Sequence, residues 1–278
     1  MRFWGAADLS VMLHFLLLSG AGVVAGVLST VVGLASLVSY PALLLAGLPP
    51  VAANVTNTVA LVATGLGAAA GSRTELAGQG RLVARVCAVT ALGGAAGALL
   101  LLHTPAHLFE VVVPGLIAGA SVLLLLGPLL RRSAAERPRW FAAERPRRSA
   151  AEHAAERPHR GGYLAVAPVG LYGGYFGAAA GVLMLAVLTL MLPGRSLART
   201  NAVKNVAIGA ANTAASVVFV TTGPVRWAAA VALAAGSLVG GWLGPSVVRR
   251  VPAGPLRLLI ALGGLGLAVK LAKDAGLC

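Results

Sequence analysis

Apolar runs long enough to cross a bilayer alternate along this chain with short polar connections. One run occupies 9–48, another 82–103, another 108–130, and further runs follow at 163–192, 202–220 and 227–244. A membrane-spanning helix needs about 20 mainly apolar residues, and most of these runs reach or exceed that. The pattern predicts helices packed side by side in lipid, with polar residues confined to their ends. Two short stretches break the pattern. ANVTNTVALVAT (53–64) and NAVKNVAIGAAN (201–212) carry amides, and in one case a lysine, into otherwise apolar runs.

Composition agrees. Apolar residues make up 58% of the 278, charged residues only 11%, and mean hydropathy is +0.87. Soluble domains carry about 25% charged residues, so the solvent for most of this chain is lipid. The fold class predicted is an all-α polytopic membrane protein. The net charge of +14 would suit nucleic acid if it were clustered on a soluble face. Instead, nine of the 22 basic residues lie between Arg131 and Arg160, and most others sit at the ends of apolar runs. That is the charge distribution of cytoplasmic loops, and no nucleic-acid partner is expected. The apolar N-terminal stretch has the look of a signal peptide, but its part in an internal repeat argues that it belongs to the fold.

The segment 131–160 divides the chain into a first membrane unit (1–130), a linker (131–160) and a second membrane unit (161–278). The linker contains AAERP three times, beginning at Ala134, Ala142 and Ala154. It reads as a cytoplasmic spacer, with contact to anionic lipid as the alternative role for its arginines.

The two membrane units repeat each other. Gly22, Gly26 and Gly33 match Gly170, Gly174 and Gly181 at a constant spacing. In the same frame Asn57 falls on Asn205, with Asn54 one residue out of step with Asn201. Corresponding loops have opposite charge character: 45–54 carries no charge, whereas 192–204 carries three basic residues. By the positive-inside rule equivalent loops then lie on opposite sides of the membrane, an inverted-topology repeat of the kind built into secondary transporters. The 72–85, 192–200 and 247–257 loops are expected on the cytoplasmic side, and 47–53, 103–108 and 222–226 outside. Each unit should contain four to five helices, with five the simplest count and both termini external. Residues 9–46 are too short for two full crossings and a turn, so broken helices are expected near Gly33 and Gly181.

The candidate chemistry lies in the two amide-bearing stretches. All five asparagines of the chain fall there: Asn54, Asn57, Asn201, Asn205 and Asn212. An amide is costly in hydrocarbon unless hydrogen-bonded, and amides at matching repeat positions suggest a shared polar site. Helix gluing or capping is the simpler alternative, most of all for Asn54 and Asn201, which follow loops closely. Lys204 is an ionisable residue at the start of a membrane run. It suits either an anionic substrate or a lysine that snorkels to cytoplasmic water. Arg195 and Arg199 read as loop charges. The breaks near Gly33 and Gly181 would expose backbone N–H groups, which favour anions, although glycines also serve close helix packing. The expected substrate-binding set is Asn54, Asn57, Asn201, Lys204, Asn205, Gly33 and Gly181. No cofactor, metal site or enzymatic activity is expected: the chain has no GxxxxGK[ST], no HExxH and no catalytic cluster.

These residues resemble the TauE/SafE family of sulfite exporters. The resemblance is carried by GVVAGVLSTVVGLASLVSYPALLLAGLPPVAANVTNT in the first unit and by GLYGGYFGAAAGVLMLAVL, ARTNAVKN and GSLVGGWLG in the second. It covers nearly all of both units and excludes the linker, which is longer than is usual in the family. It implies a multi-pass permease of the plasma membrane that moves small sulfur-containing anions such as sulfite, sulfoacetate or related organosulfonates. The competing expectations are transport of a carboxylate or a neutral solute, and a non-transporting assembly or regulatory role. Partners would be the small anion and the lipid bilayer.

Overall fold

The computed structural model describes residues 6–135, 160–248 and 253–276. Most of the expected linker, 136–159, lies outside the described residues, as do 249–252 of the 247–257 loop. The first unit contains α1 (Ala6–Val31), α2 (Ser36–Leu45), α3 (Pro50–Gly71), the single turn α4 (Arg73–Leu76), α5 (Gly80–His103) and α6 (Ala106–Ala135). The second contains α7 (Arg160–Tyr175), α8 (Ala180–Met191), α9 (Leu197–Thr222), α10 (Trp227–Val248) and α11 (Ala253–Asp274). Helix α6 therefore continues five residues into the expected linker, and α7 starts at its last residue. Among the described residues six helices are long and apolar enough to span a bilayer: α1, α3, α5, α6, α9 and α10. The protein is a helical, multi-pass membrane protein.

The sequence sets the helix ends. Pro50 opens α3 at a position where its missing N–H costs nothing. Ser196 caps α9, its hydroxyl accepting from Arg199 N at 3.4 Å. α1 stops where Gly33 adopts φ +85°, and the N–H groups of Val32 and Gly33 both turn back to Leu28 O, at 2.9 and 3.0 Å. Such a left-handed residue closes a helix C-terminus at little cost only when it is glycine.

The second break differs from expectation in detail. α7 ends at Tyr175 and α8 begins at Ala180, and the positive-φ residues are Gly177 (+75°) and Ala179 (+59°). Gly181 lies inside the first turn of α8. It is needed for closeness: a Cβ on Gly181 would fall 2.5 Å from Gly33 Cα.

Packing exchanges helices between the units. α1 lies along α10, and α7 lies along α5; α3 and α9 pack together at the centre, and α6 pairs with α11. Direction follows from the residues that meet. Gly22 lies against Ser237 and Gly26 against Gly241, so α1 and α10 run the same way. Gly170 lies against Thr90 and Gly174 against Gly94, so α7 and α5 also run together. By contrast Gly65 meets Gly209, while Thr56 Oγ1 accepts from Arg226 N at 3.0 Å, so α3 and α9 are antiparallel. Matched hydrogen bonds tie these layers: Thr90 Oγ1 donates to Ala207 O at 3.1 Å, and Ser237 Oγ donates to Ala60 O at 3.2 Å.

Large apolar side chains face outward, and polar side chains are held inside a mainly apolar core. Leu13, Leu17, Leu164, Leu190, Val217 and Trp242 are exposed, whereas Asn54, Asn57, Thr90, Lys204 and Ser237 are buried. Lipid is as good a solvent for leucine as the protein interior, so packing falls to small residues and internal hydrogen bonds. The connections sort to two ends. Arg195 of the α8–α9 connection donates to Gln79 Oε1 before α5. At the other end, Pro50, Glu110 and Asp274 line one cleft.

Candidate functional site

The two breaks place two helix ends inside the bundle. α1 with α2, and α7 with α8, each form a helical pair joined by a tight connection, and the connections meet where Gly33 touches Gly181. A small cavity lies at this meeting point. Its wall includes Ser29 at the end of α1, Ser36 at the start of α2, Gly177, Ala180 and Gly181 at the second break, Thr58 and Leu61 of α3, and Lys204, Asn205, Ile208 and Asn212 of α9. Gly33 touches Gly181, and α3 and α9 contribute Thr58 with Leu61 and Asn205 with Ile208. The cavity therefore sits where the two units meet.

Of the residues expected from sequence, Gly33, Gly181, Lys204 and Asn205 line this cavity. Asn54, Asn57 and Asn201 do not line it; they stand in the wall behind it. Asn54 Nδ2 donates to Tyr175 O at 2.8 Å, and Asn201 Nδ2 donates to Thr30 O at 2.9 Å. Each amide thus satisfies a carbonyl at the broken end of the other unit's first helix, where no helical N–H is available. Neither asparagine caps the start of its own helix; Pro49 and Ser196 occupy those positions. The shared role pairs Asn54 with Asn201. It moves the repeat register of this segment by one residue from the glycine spacing, so the equivalent of Asn57 is Lys204, not Asn205. Asn57 Nδ2 donates to Ser36 Oγ at 3.1 Å and so orients a hydroxyl of the cavity wall.

Lys204 is 1% exposed. Its side chain points inward, and Nζ donates to Ser29 O at 2.9 Å and to Thr30 O at 3.4 Å. The C-terminal end of a helix carries partial negative charge. An ammonium against the last carbonyls of α1 offsets that charge at the cavity edge. The opposite pole enters from α2 and α8, whose first turns, at Ser36 and Ala180–Gly181, also line the cavity. Helix N-termini favour anions. The wall therefore combines one basic side chain, two amides, hydroxyls and two helix N-termini, and includes no carboxylate. That chemistry matches a small oxyanion.

Ser29, Ser36 and Thr58 were missed by sequence reasoning, because small hydroxyl residues in membrane helices more often bond their own preceding turn. Their signal was position: Ser29 and Ser36 flank the first break, and Thr58 follows Asn57. Arg195 lies in the α8–α9 connection, whereas Arg199, expected as a loop charge, lies in the first turn of α9; neither lines the cavity. Among the described residues no group of three or more His, Cys, Asp and Glu side chains comes together.

Comparison with known proteins adds three findings. The family model described as "Sulfite exporter TauE/SafE" matches residues 18–271. A "Probable membrane transporter protein" of Haemophilus influenzae is 26% identical over 261 residues, covering 92% of this chain and 93% of its own length. The "Probable membrane transporter protein YfcA" of Escherichia coli strain K12 is 26% identical over 258 residues, covering 90% of this chain and 87% of its own. No solved structure matches the chain.

Proposed function

Because this chain belongs to the TauE/SafE sulfite exporter family of membrane proteins, we propose that it is a secondary permease of the plasma membrane for small sulfur-containing anions: sulfite, sulfoacetate or related organosulfonates. The observation that carries this reading is the buried ammonium of Lys204 at a cavity whose wall includes no carboxylate and receives two helix N-termini. An anion there would accept hydrogen bonds from Asn205, the hydroxyl of Ser36, and the backbone at the start of α2 and α8; the Thr58 hydroxyl donates instead to Asn54 O. Asn54, Asn57 and Asn201 would hold the walls in register.

The antiparallel packing of α3 on α9 supports an inverted-topology repeat. Two equivalent units facing each other about a shared site can exchange roles, and that exchange is alternating access. In this reading the helix pairs α1–α2 and α7–α8 open in turn toward the two sides, and the contact of Gly33 with Gly181 closes the path between them. The sulfur preference rests on family membership; the anion preference rests on the cavity.

Purified protein in liposomes, loaded with labelled sulfite or sulfoacetate, tests this. Saturable efflux that unlabelled sulfite inhibits is expected, with no flux of a neutral solute of similar size. Folded protein that moves a carboxylate or a neutral solute but neither sulfur anion would overturn the assignment.

A further inference from the structure

α1 ends at Val31 inside the protein, so its last carbonyls lack helical donors and carry the negative end of the helix dipole. Carbonyls at such interrupted helix ends are general ligands for coupling cations in transporters. Here Ser29 O and Thr30 O accept from Lys204 Nζ, at 2.9 and 3.4 Å, and Thr30 O also accepts from Asn201. The equivalent end in the other unit is closed differently. Tyr175 O accepts from the neutral amide of Asn54, and the residue equivalent to Lys204 is Asn57, whose amide goes to Ser36. A neutral donor is therefore enough to hold one helix end, and the formal charge on the other must serve something besides packing.

We infer that Lys204 is a tethered cation: its ammonium occupies the place of a monovalent coupling ion at the end of α1, so the protein binds and moves its anion without Na+ or K+. The inference rests on the reading of the cavity as an anion site. It has a second consequence that does not. With the ammonium removed, the carbonyls of Ser29 and Thr30 become a binding position for a small free cation.

Two measurements test it. In liposomes, wild-type anion flux is expected to change by less than about twofold when choline replaces Na+ and K+ on both sides, since no coupling ion is lost. A saturable requirement for Na+ or K+ in the wild type would overturn the proposal. Separately, thermal unfolding of detergent-solubilised Lys204→Ala is followed against NaCl, methylammonium chloride and choline chloride. Na+ or methylammonium should raise its unfolding temperature saturably, while choline, too large to enter, should not; the wild type should respond equally to all three salts. Equal responses in the variant would overturn the proposal. If Lys204→Ala does not fold, Lys204→Val, which also leaves the place of the ammonium open, takes its place, and the wild-type flux measurement decides independently. Wild-type protein that moves no sulfur anion but whose variant responds to Na+ or methylammonium would overturn the substrate reading and uphold the tethered cation.

Discussion

Asn54 and Asn201 perform the same act in the two halves of the chain: each donates its amide to a carbonyl at the end of the first helix of the other unit, at 2.8 and 2.9 Å. Neither bond forms within a unit. The two halves of the chain are thus joined through their broken helices, next to the cavity that those breaks create.

Asn54→Ala should destabilise the protein by about 1–2 kcal/mol, because Tyr175 O loses its amide donor. Asn201→Ala should cost less, because Thr30 O still accepts from Lys204 Nζ at 3.4 Å. Chemical or thermal denaturation of each variant in one detergent makes the comparison. A larger loss at Asn201 than at Asn54 would contradict these bonding roles.

Gly33→Ala should cost more. It places a side chain at φ +85° and drives a Cβ to 2.5 Å from the backbone of Gly181. Left-handed strain and overpacking together are expected to reach about 2 kcal/mol or more. Gly181→Ala carries the overlap without the strain, and should fall between Gly33→Ala and Gly20→Ala. Nothing lies within 4 Å of a Cβ at Gly20, so that control should stay within about 0.5 kcal/mol of wild type. Thermal unfolding and flux of the three variants give the order.

Thr90→Val and Ser237→Ala remove matched bonds between the units, to Ala207 O and Ala60 O. Hydrogen bonds between membrane helices contribute about 0.6 kcal/mol each, so each variant should remain folded with a small loss. A loss of several kcal/mol at either site, read by unfolding in detergent, would mean that packing around the hydroxyl had also collapsed.

Sidedness follows from the sorting of connections to two ends. Arg199 lies in the first turn of α9 beside the connection that meets Gln79, and Arg226 lies past its far end against Thr56. In protein carrying Cys87→Ser and Cys278→Ser, a membrane-impermeant thiol reagent should label Arg226→Cys from outside intact cells. Arg199→Cys should be labelled only after the membrane is opened. Labelling of both from the same side would exclude the inverted arrangement.

The sequence by itself determined that the chain lives in lipid and that it is made of helices, and its glycine spacing raised the expectation of a duplication. Those properties are local: apolar run length, the burial cost of charge, and glycine spacing each act within a few turns. Four of the residues it singled out, Gly33, Gly181, Lys204 and Asn205, line one cavity. Only the tertiary structure decided what each polar residue does there. Asn54 and Asn201 look like caps or ligands in sequence, yet their partners lie more than a hundred residues away, across the interface between units. Lys204 could equally have snorkelled outward, because the free end of α1 that accepts its ammonium exists only when the two units are packed. The repeat register shows the same limit: glycines pair Asn57 with Asn205, whereas the hydrogen bonds pair Asn54 with Asn201. Glycine spacing records how close backbones come, and that distance does not fix which donor reaches which helix end.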